Sequence, residues 1–298
     1  MQQAGVGSEE ISDVKPKISE WQRFRRVFLG RKVVLFGLIV LLFYILVAIF
    51  ANLLAPYDPY QIDLPNLLAS PSFVHPLGTD TLGRDILSRL IFGIRPTLMV
   101  GALTMLIAAI GGTTLGLLAG YFGGMVQTLI MRFIDALMGF PMILLALVIA
   151  AALGGGLRNI IIALGIAMIA GFARVMCGQT LSIKQNDYVL AGRSLGYRGR
   201  RLMWRHIVPN AFPPLIVLAT MNIGVVILME AGLSFLGIGI QAPAAAWGSM
   251  VSEGYGFLLQ SPLLSVAPGL AIMLLVFSLN MLGDGLRDAL DPKLRGAL

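Results

Sequence analysis

Apolar residues in this chain gather in six long runs separated by short polar intervals. The first, Val33 to Leu54, holds 22 residues without a charge. That matches the ~20 residues a helix needs to cross a bilayer core of ~30 Å, and it is longer than the apolar core of a cleaved signal. The others run from Thr97 to Ala119, Val126 to Leu153, Arg158 to Ile183, Ile207 to Ile240 and Pro262 to Gly283. The pattern predicts an all-α membrane protein with six transmembrane helices.

Details within the runs refine this. Gly112, Gly116 and Gly120 recur every four residues, a small-residue stripe that lets another helix approach closely. Arg132 and Asp135, at the start of the third run, stand at i, i+3 and can pair; Pro141 predicts a kink. Arg174, near the end of the fourth, can snorkel toward water. The fifth run would be roughly 50 Å long at 1.5 Å per residue, so Pro209, Pro213 and Pro214 predict a break between a cytoplasmic approach and the span proper. Pro268 predicts a kink in the sixth. Glu230, deep in the fifth run, must face another helix, a partner subunit or a wet cavity, because lipid exposure of a carboxylate is costly.

The polar intervals have their own character. Before the first run, Trp21, Phe24, Val27 and Phe28 interleave with arginines at near-helical spacing, which predicts an amphipathic helix on an anionic leaflet. Between the first two runs, prolines mark loop structure as far as Pro76. From Asp80 to Ile94 one apolar face (Ile86, Leu87, Leu90, Ile91, Ile94) predicts an interfacial helix capped by Thr79 or Asp80, with Arg84, Asp85, Ser88 and Arg89 largely off that face. The interval holding Trp247 and Glu253 reads as a polar loop. The most basic internal interval runs from Asp187 to Asn210.

Charge sets the orientation. Six spans place both ends on one side. Of the 22 lysines and arginines, 18 fall on that side or in the Asp187–Arg205 loop, and four (Arg84, Arg89, Arg95, Arg158) fall on the other. The positive-inside bias puts both termini and this loop in the cytoplasm. The same bias accounts for the net charge of +7 without nucleic acid. A composition of 57% hydrophobic and 12% charged residues is far from the ~25% charged of soluble domains. The domain reading is a cytoplasmic N-terminal segment over 1–32, a first span and extracytoplasmic loop over 33–95, a core over 96–286 containing a cytoplasmic loop at 184–206, and a tail over 287–298.

Catalytic chemistry has no foothold in these letters. None of the five lysines follows a glycine, so no phosphate-cradling loop is present. His75 and His206 lie far apart, Cys177 is the single cysteine, and no metal or cofactor is expected. The chain reads as a transporter component and not an enzyme. A stand-alone channel or secondary transporter competes, yet coupling sites usually need several ionisable groups near midplane, and the spans offer few.

The basic loop resembles the motif of permease subunits in ABC importers: Glu-Ala-Ala, three residues, Gly, nine residues, Ile-x-Leu-Pro. Leu190-Ala191-Gly192, Gly196 and His206-Ile207-Val208-Pro209 stand at those positions. Leu190 replaces the glutamate, as is common in the peptide/nickel branch. The stretches His75–Arg89, Ala119–Gly124, Glu230–Gly239 and Asn280–Lys293 resemble that branch specifically, the DppC/OppC-like permeases of dipeptide, oligopeptide and nickel importers. The resemblance implies a type I importer permease in the bacterial inner membrane. It also implies a second homologous permease as pore partner, two ABC ATPase subunits beneath, and an extracytoplasmic substrate-binding protein. Asp187, Tyr188, Ala191, Ser194, Leu195, Gly196, Tyr197 and Pro209 would belong to the ATPase-coupling loop, and short peptides would be the substrate. The arginines beyond Tyr197 could touch acidic ATPase surface or lipid headgroups.

Overall fold

The computed structural model describes residues 20–290, with side chains from Arg25 onward. Every regular element among these residues is helical. Helix α1 (Glu20–Leu29) packs along the C-terminal helix of the chain. The side chains of Trp21 and Phe24, half of the predicted amphipathic face, lie outside the described residues.

Helix α2 (Lys32–Ile49) buries Val34, Gly37, Val40 and Tyr44 at helical spacing, and leaves Leu35, Phe36, Ile39, Leu42 and Phe43 exposed. Apolar residues on the outer faces as well as the inner one are stable in lipid and not in water. The chain breaks at Phe50 before the short α3 (Ala51–Leu54). A loop with one 3₁₀ turn at Leu64–Asn66 leads to α4 (Ile86–Phe122).

The predicted interfacial helix and the second span are one helix of 37 residues running through Pro96. Neither Thr79 nor Asp80 caps it: Asp85 does, its carboxylate accepting from the Ser88 amide at 2.8 Å. At ~1.5 Å per residue the helix is about 55 Å long, so its first turns stand outside the bilayer core.

A turn at Gly123 and Gly124, both at positive φ, leads into α5 (Gly124–Met138), followed by α6 (Met142–Ala152). The two meet at 91° around Pro141, so the predicted kink is a near-right-angle break between two helices. α5 lies against α7 (Leu157–Lys184), where Ile134 packs on Ala170 and Ala173. Asp135 consequently pairs with Arg174 of α7, and the predicted bridge to Arg132 is replaced.

α8 (Asp187–Ser194) and α9 (Gly199–Leu202) follow; then a π turn at Met203–Ile207 runs straight into α10 (Val208–Phe235). The proline break expected here is absent, because the chain from Gly199 to Phe235 is one 37-residue helical rod through Pro213 and Pro214. The wider π turn lies directly before Pro209, which sits in the first turn of α10 where a missing N–H is harmless. The predicted polar loop contains a helix, α11 (Trp247–Tyr255), with Trp247 buried. α12 (Leu263–Leu290) runs through Pro268 and past Gly283, so the beginning of the predicted tail is helical.

Among the described residues five helices are long and apolar enough to cross a membrane, or six when the bent α5–α6 pair is taken as one span. The most extensive helix–helix contact joins α4 to α7. A Cβ on Gly112 would lie 2.6 Å from the Ile169 carbonyl oxygen, on Gly116 2.3 Å from that of Ala173, and on Gly120 2.9 Å from that of Cys177. The glycine face lets the two backbones touch. A second cluster joins α2, α11 and α12 to the start of α4 through Tyr44, Ile86, Trp247 and Leu275.

Candidate functional site

The interval between α7 and α10 is built as a small rigid body. α7 ends at Lys184, whose ammonium donates to the carbonyls of Tyr121 at 2.7 Å and Gly120 at 3.3 Å, satisfying acceptors orphaned at the end of α4. After the extended Asn186, α8 begins with Asp187 in its first turn, where a carboxylate suits the helix dipole. Gly196, at φ +78°, closes α8: its N–H reaches the Arg193 carbonyl, and the Tyr197 N–H reaches that of Gly192, both at 3.0 Å. This Schellman closure needs the left-handed residue that glycine supplies.

The closure folds Tyr197 over Gly192, where a Cβ would stand 3.1 Å from its ring. The same ring stacks on His206 at 5.9 Å, and the Arg201 guanidinium lies 4.5 Å from its centre. Gly199 makes a close contact: a Cβ there would meet the Tyr121 hydroxyl at 2.5 Å. Val189, Gly192, Leu202 and Ile207 face inward. Facing outward are Asp187, Tyr188, Leu190, Ala191, Ser194 and Leu195, the last 75% exposed. The structure thus places seven of the eight predicted loop residues on or directly after α8. Pro209 stands apart in the first turn of α10.

Glu230 is 1% exposed and is held within its own chain. The Ser234 hydroxyl donates to its carboxylate at 2.6 Å and accepts from the Ile240 N–H at 3.0 Å, so the pair clamps the turn after α10.

At the opposite end of α4 lies a cluster that the sequence pattern did not reveal. The interfacial reading set Arg84, Asp85, Ser88 and Arg89 apart from the apolar face; the structure buries all four. Asp80, fully buried, accepts from Arg84 Nε at 2.7 Å and from Arg89, and also from the Leu82 and Arg84 amides. Glu253 of α11 closes the group, reaching Arg84 at 3.2 Å and Arg89 at 2.9 Å. Two carboxylates and two guanidiniums balance in charge. Beside them Asp85 caps α4 and meets His75 Nδ1 at 3.0 Å, with Tyr57 against the His75 ring. The opposite charges in two distant polar intervals were the only signal, and their separation of up to 169 positions hid it.

Comparison with known proteins adds relatedness to this geometry. The profile of a family described as binding-protein-dependent transport system inner membrane component matches residues 112–296. A second, the N-terminal TM domain of oligopeptide transport permease C, matches residues 19–71. The chain is 41% identical over 278 residues to the dipeptide transport system permease protein DppC of Alkalihalophilus pseudofirmus, covering 93% of this chain and 91% of that one. It is 43% identical over 276 residues to the glutathione transport system permease protein GsiD of Pectobacterium atrosepticum, covering 92% of each. It is 46% identical over 277 residues to GsiD of Shigella sonnei, covering 93% of this chain and 90% of that one.

Proposed function

This chain belongs to the family of inner membrane components of binding-protein-dependent transport systems, and from that membership we propose that it forms half of the translocation pathway of an ATP-driven importer of short peptides. It is a multi-pass protein of the bacterial plasma membrane. Its partners are a second homologous permease, two ABC ATPase subunits and an extracytoplasmic binding protein. The dipeptide and glutathione transport named for its relatives supports small peptides as the substrate class.

The observation that carries the coupling role is α8. Its inward face is locked through Gly192, Tyr197 and Leu202, while Tyr188, Leu190 and Leu195 present apolar surface in the polar interval between two spans. Such a face stays in water at a cost unless a partner covers it. The basic composition of the interval and of both ends of the chain supports a cytoplasmic position, where an ATPase groove would take it. α8 packs on α7 and α9. α9 in turn continues as one rod into α10, and α7 is joined to α4 along the glycine stripe. A displacement of α8 on closure of the ATPase dimer therefore reaches the spans as a rigid-body tilt, the element alternating access requires.

Burying a leucine side chain contributes about 2 kcal/mol, and an aspartate in its place adds a desolvated charge. Leu195→Asp is therefore expected to abolish peptide uptake by the reconstituted five-part importer while membrane insertion and basal ATP hydrolysis persist. Uptake at the wild-type rate would remove the coupling assignment. Uptake by this chain alone in proteoliposomes would remove the ATP-driven reading altogether.

A further inference from the structure

Beyond α8, the chain carries a second exposed surface of different chemistry. Arg198, Arg200, Arg201 and Trp204 line one open groove on α9 and the π turn. Trp204 is 58% exposed there, and all three arginines are exposed. Among the described residues none of these guanidiniums meets a carboxylate; Arg201 has only the face of Tyr197. From Lys184 to Arg205 the sequence holds six cations and a single acid, Asp187. The groove is therefore a strong positive field without a counter-ion among the described residues.

Its depth is set by the rod it belongs to. The uncharged part of the rod begins at Ile207, directly after Arg205 and His206, and the 23 residues from there to Met229, about 34 Å at 1.5 Å per residue, already suffice for the ~30 Å of a bilayer core. Trp204 lies three positions before that stretch, about 5 Å from its edge, and Arg201 and Arg200 lie about 10 Å from it. That is the headgroup layer, where tryptophan is enriched and where phosphates sit.

We propose that the groove of Arg198, Arg200, Arg201 and Trp204 binds the phosphate of an anionic phospholipid of the adjoining leaflet. The guanidiniums supply charge-assisted hydrogen bonds to the phosphate oxygens, and the indole packs on the glycerol and upper acyl segment. Lipid held here steadies the π turn, the joint between the basic interval and α10. The site stands independently of the coupling role of α8 and requires no ATPase.

The test uses the full-length chain carrying Trp21→Phe, in nanodiscs of phosphatidylcholine with a minor fraction of brominated phosphatidylglycerol or brominated phosphatidylcholine. Trp247 is 1% exposed, which leaves Trp204 as the indole that bromine can reach. The expected result is stronger quenching by the anionic lipid. That preference falls about fivefold for each arginine changed to glutamine and is largely kept with lysines at all three positions. Wild-type elution and helix content of the variants keep a folding failure separate; should the triple Arg198→Gln, Arg200→Gln, Arg201→Gln chain fail to fold, Arg200→Gln alone carries the test. Equal quenching by the two lipids, or a preference unchanged by the glutamine variants, overturns the site. So does a preference abolished by inorganic phosphate but not by sodium chloride of equal ionic strength, which would assign the groove to a soluble anion.

Discussion

Asp80→Asn is expected to destabilise the purified protein by about 3–5 kcal/mol, the loss typical of breaking a buried ion pair from one side. Asp80 is fully buried and is the shared acceptor of Arg84 and Arg89. Without its charge, two buried guanidiniums face Glu253 alone, which is 25% exposed at the rim of the cluster. An asparagine amide would also turn N–H groups toward donors that need acceptors. Glu253→Gln should cost less, because water can reach that end. Adding Arg84→Met to Asp80→Asn removes the excess charge and should recover part of the stability, a coupling readable in a double-mutant cycle. Thermal melting in detergent measures all three. A melting point for Asp80→Asn equal to wild type would mean that the cluster contributes no net stability and that α11 is held by Trp247 and its apolar neighbours.

This cluster marks the limit of what the pattern could reveal. The spans were legible because bilayer thickness sets the length of an apolar run, and the runs are long and free of charge. The polar segments were less so. A periodicity argument counts residue types around a helix, and it assigns arginine to water unless a partner is known. Arg89 is fully buried because Asp80 and Glu253 surround it, and Glu253 is 164 positions away. Asp135 followed the same logic: i, i+3 spacing offered Arg132, but the break at Pro141 and the packing of Ile134 lay α5 beside α7, whose Arg174 is the partner found. The prolines of α10 misled for a local reason. A π turn widens the ladder just ahead of Pro209, and the helix then continues through Pro213 and Pro214 where a break was expected. In the α8 interval, Gly196 and the outward residues were named from the sequence, whereas the Tyr197–His206–Arg201 stack that fixes the turn was not. Ring stacking depends on a loop path that spacing alone does not set.

The glycine stripe supports the sharpest test of packing. Gly116→Ala should destabilise the isolated chain by about 1–3 kcal/mol, the range for overpacking a filled interface. The added methyl carbon would lie 2.3 Å from the Ala173 carbonyl oxygen and 2.9 Å from the Cys177 nitrogen. Both are backbone atoms, so relief requires α4 and α7 to separate, and a rotamer change cannot supply it. Gly178→Ala is the matched control on α7. Nothing lies within 4 Å of a Cβ there, and replacing glycine within a helix by alanine is worth up to about 1 kcal/mol in favour of the variant. The two substitutions are chemically identical, and the geometry alone assigns them opposite signs. If Gly116→Ala melted with Gly178→Ala, the close approach of α4 and α7 would be wrong. Motion of α8 would then not pass through α7 to α4 as one body. Loss of peptide uptake in Gly116→Ala at temperatures where the chain remains folded would tie that shared movement to transport.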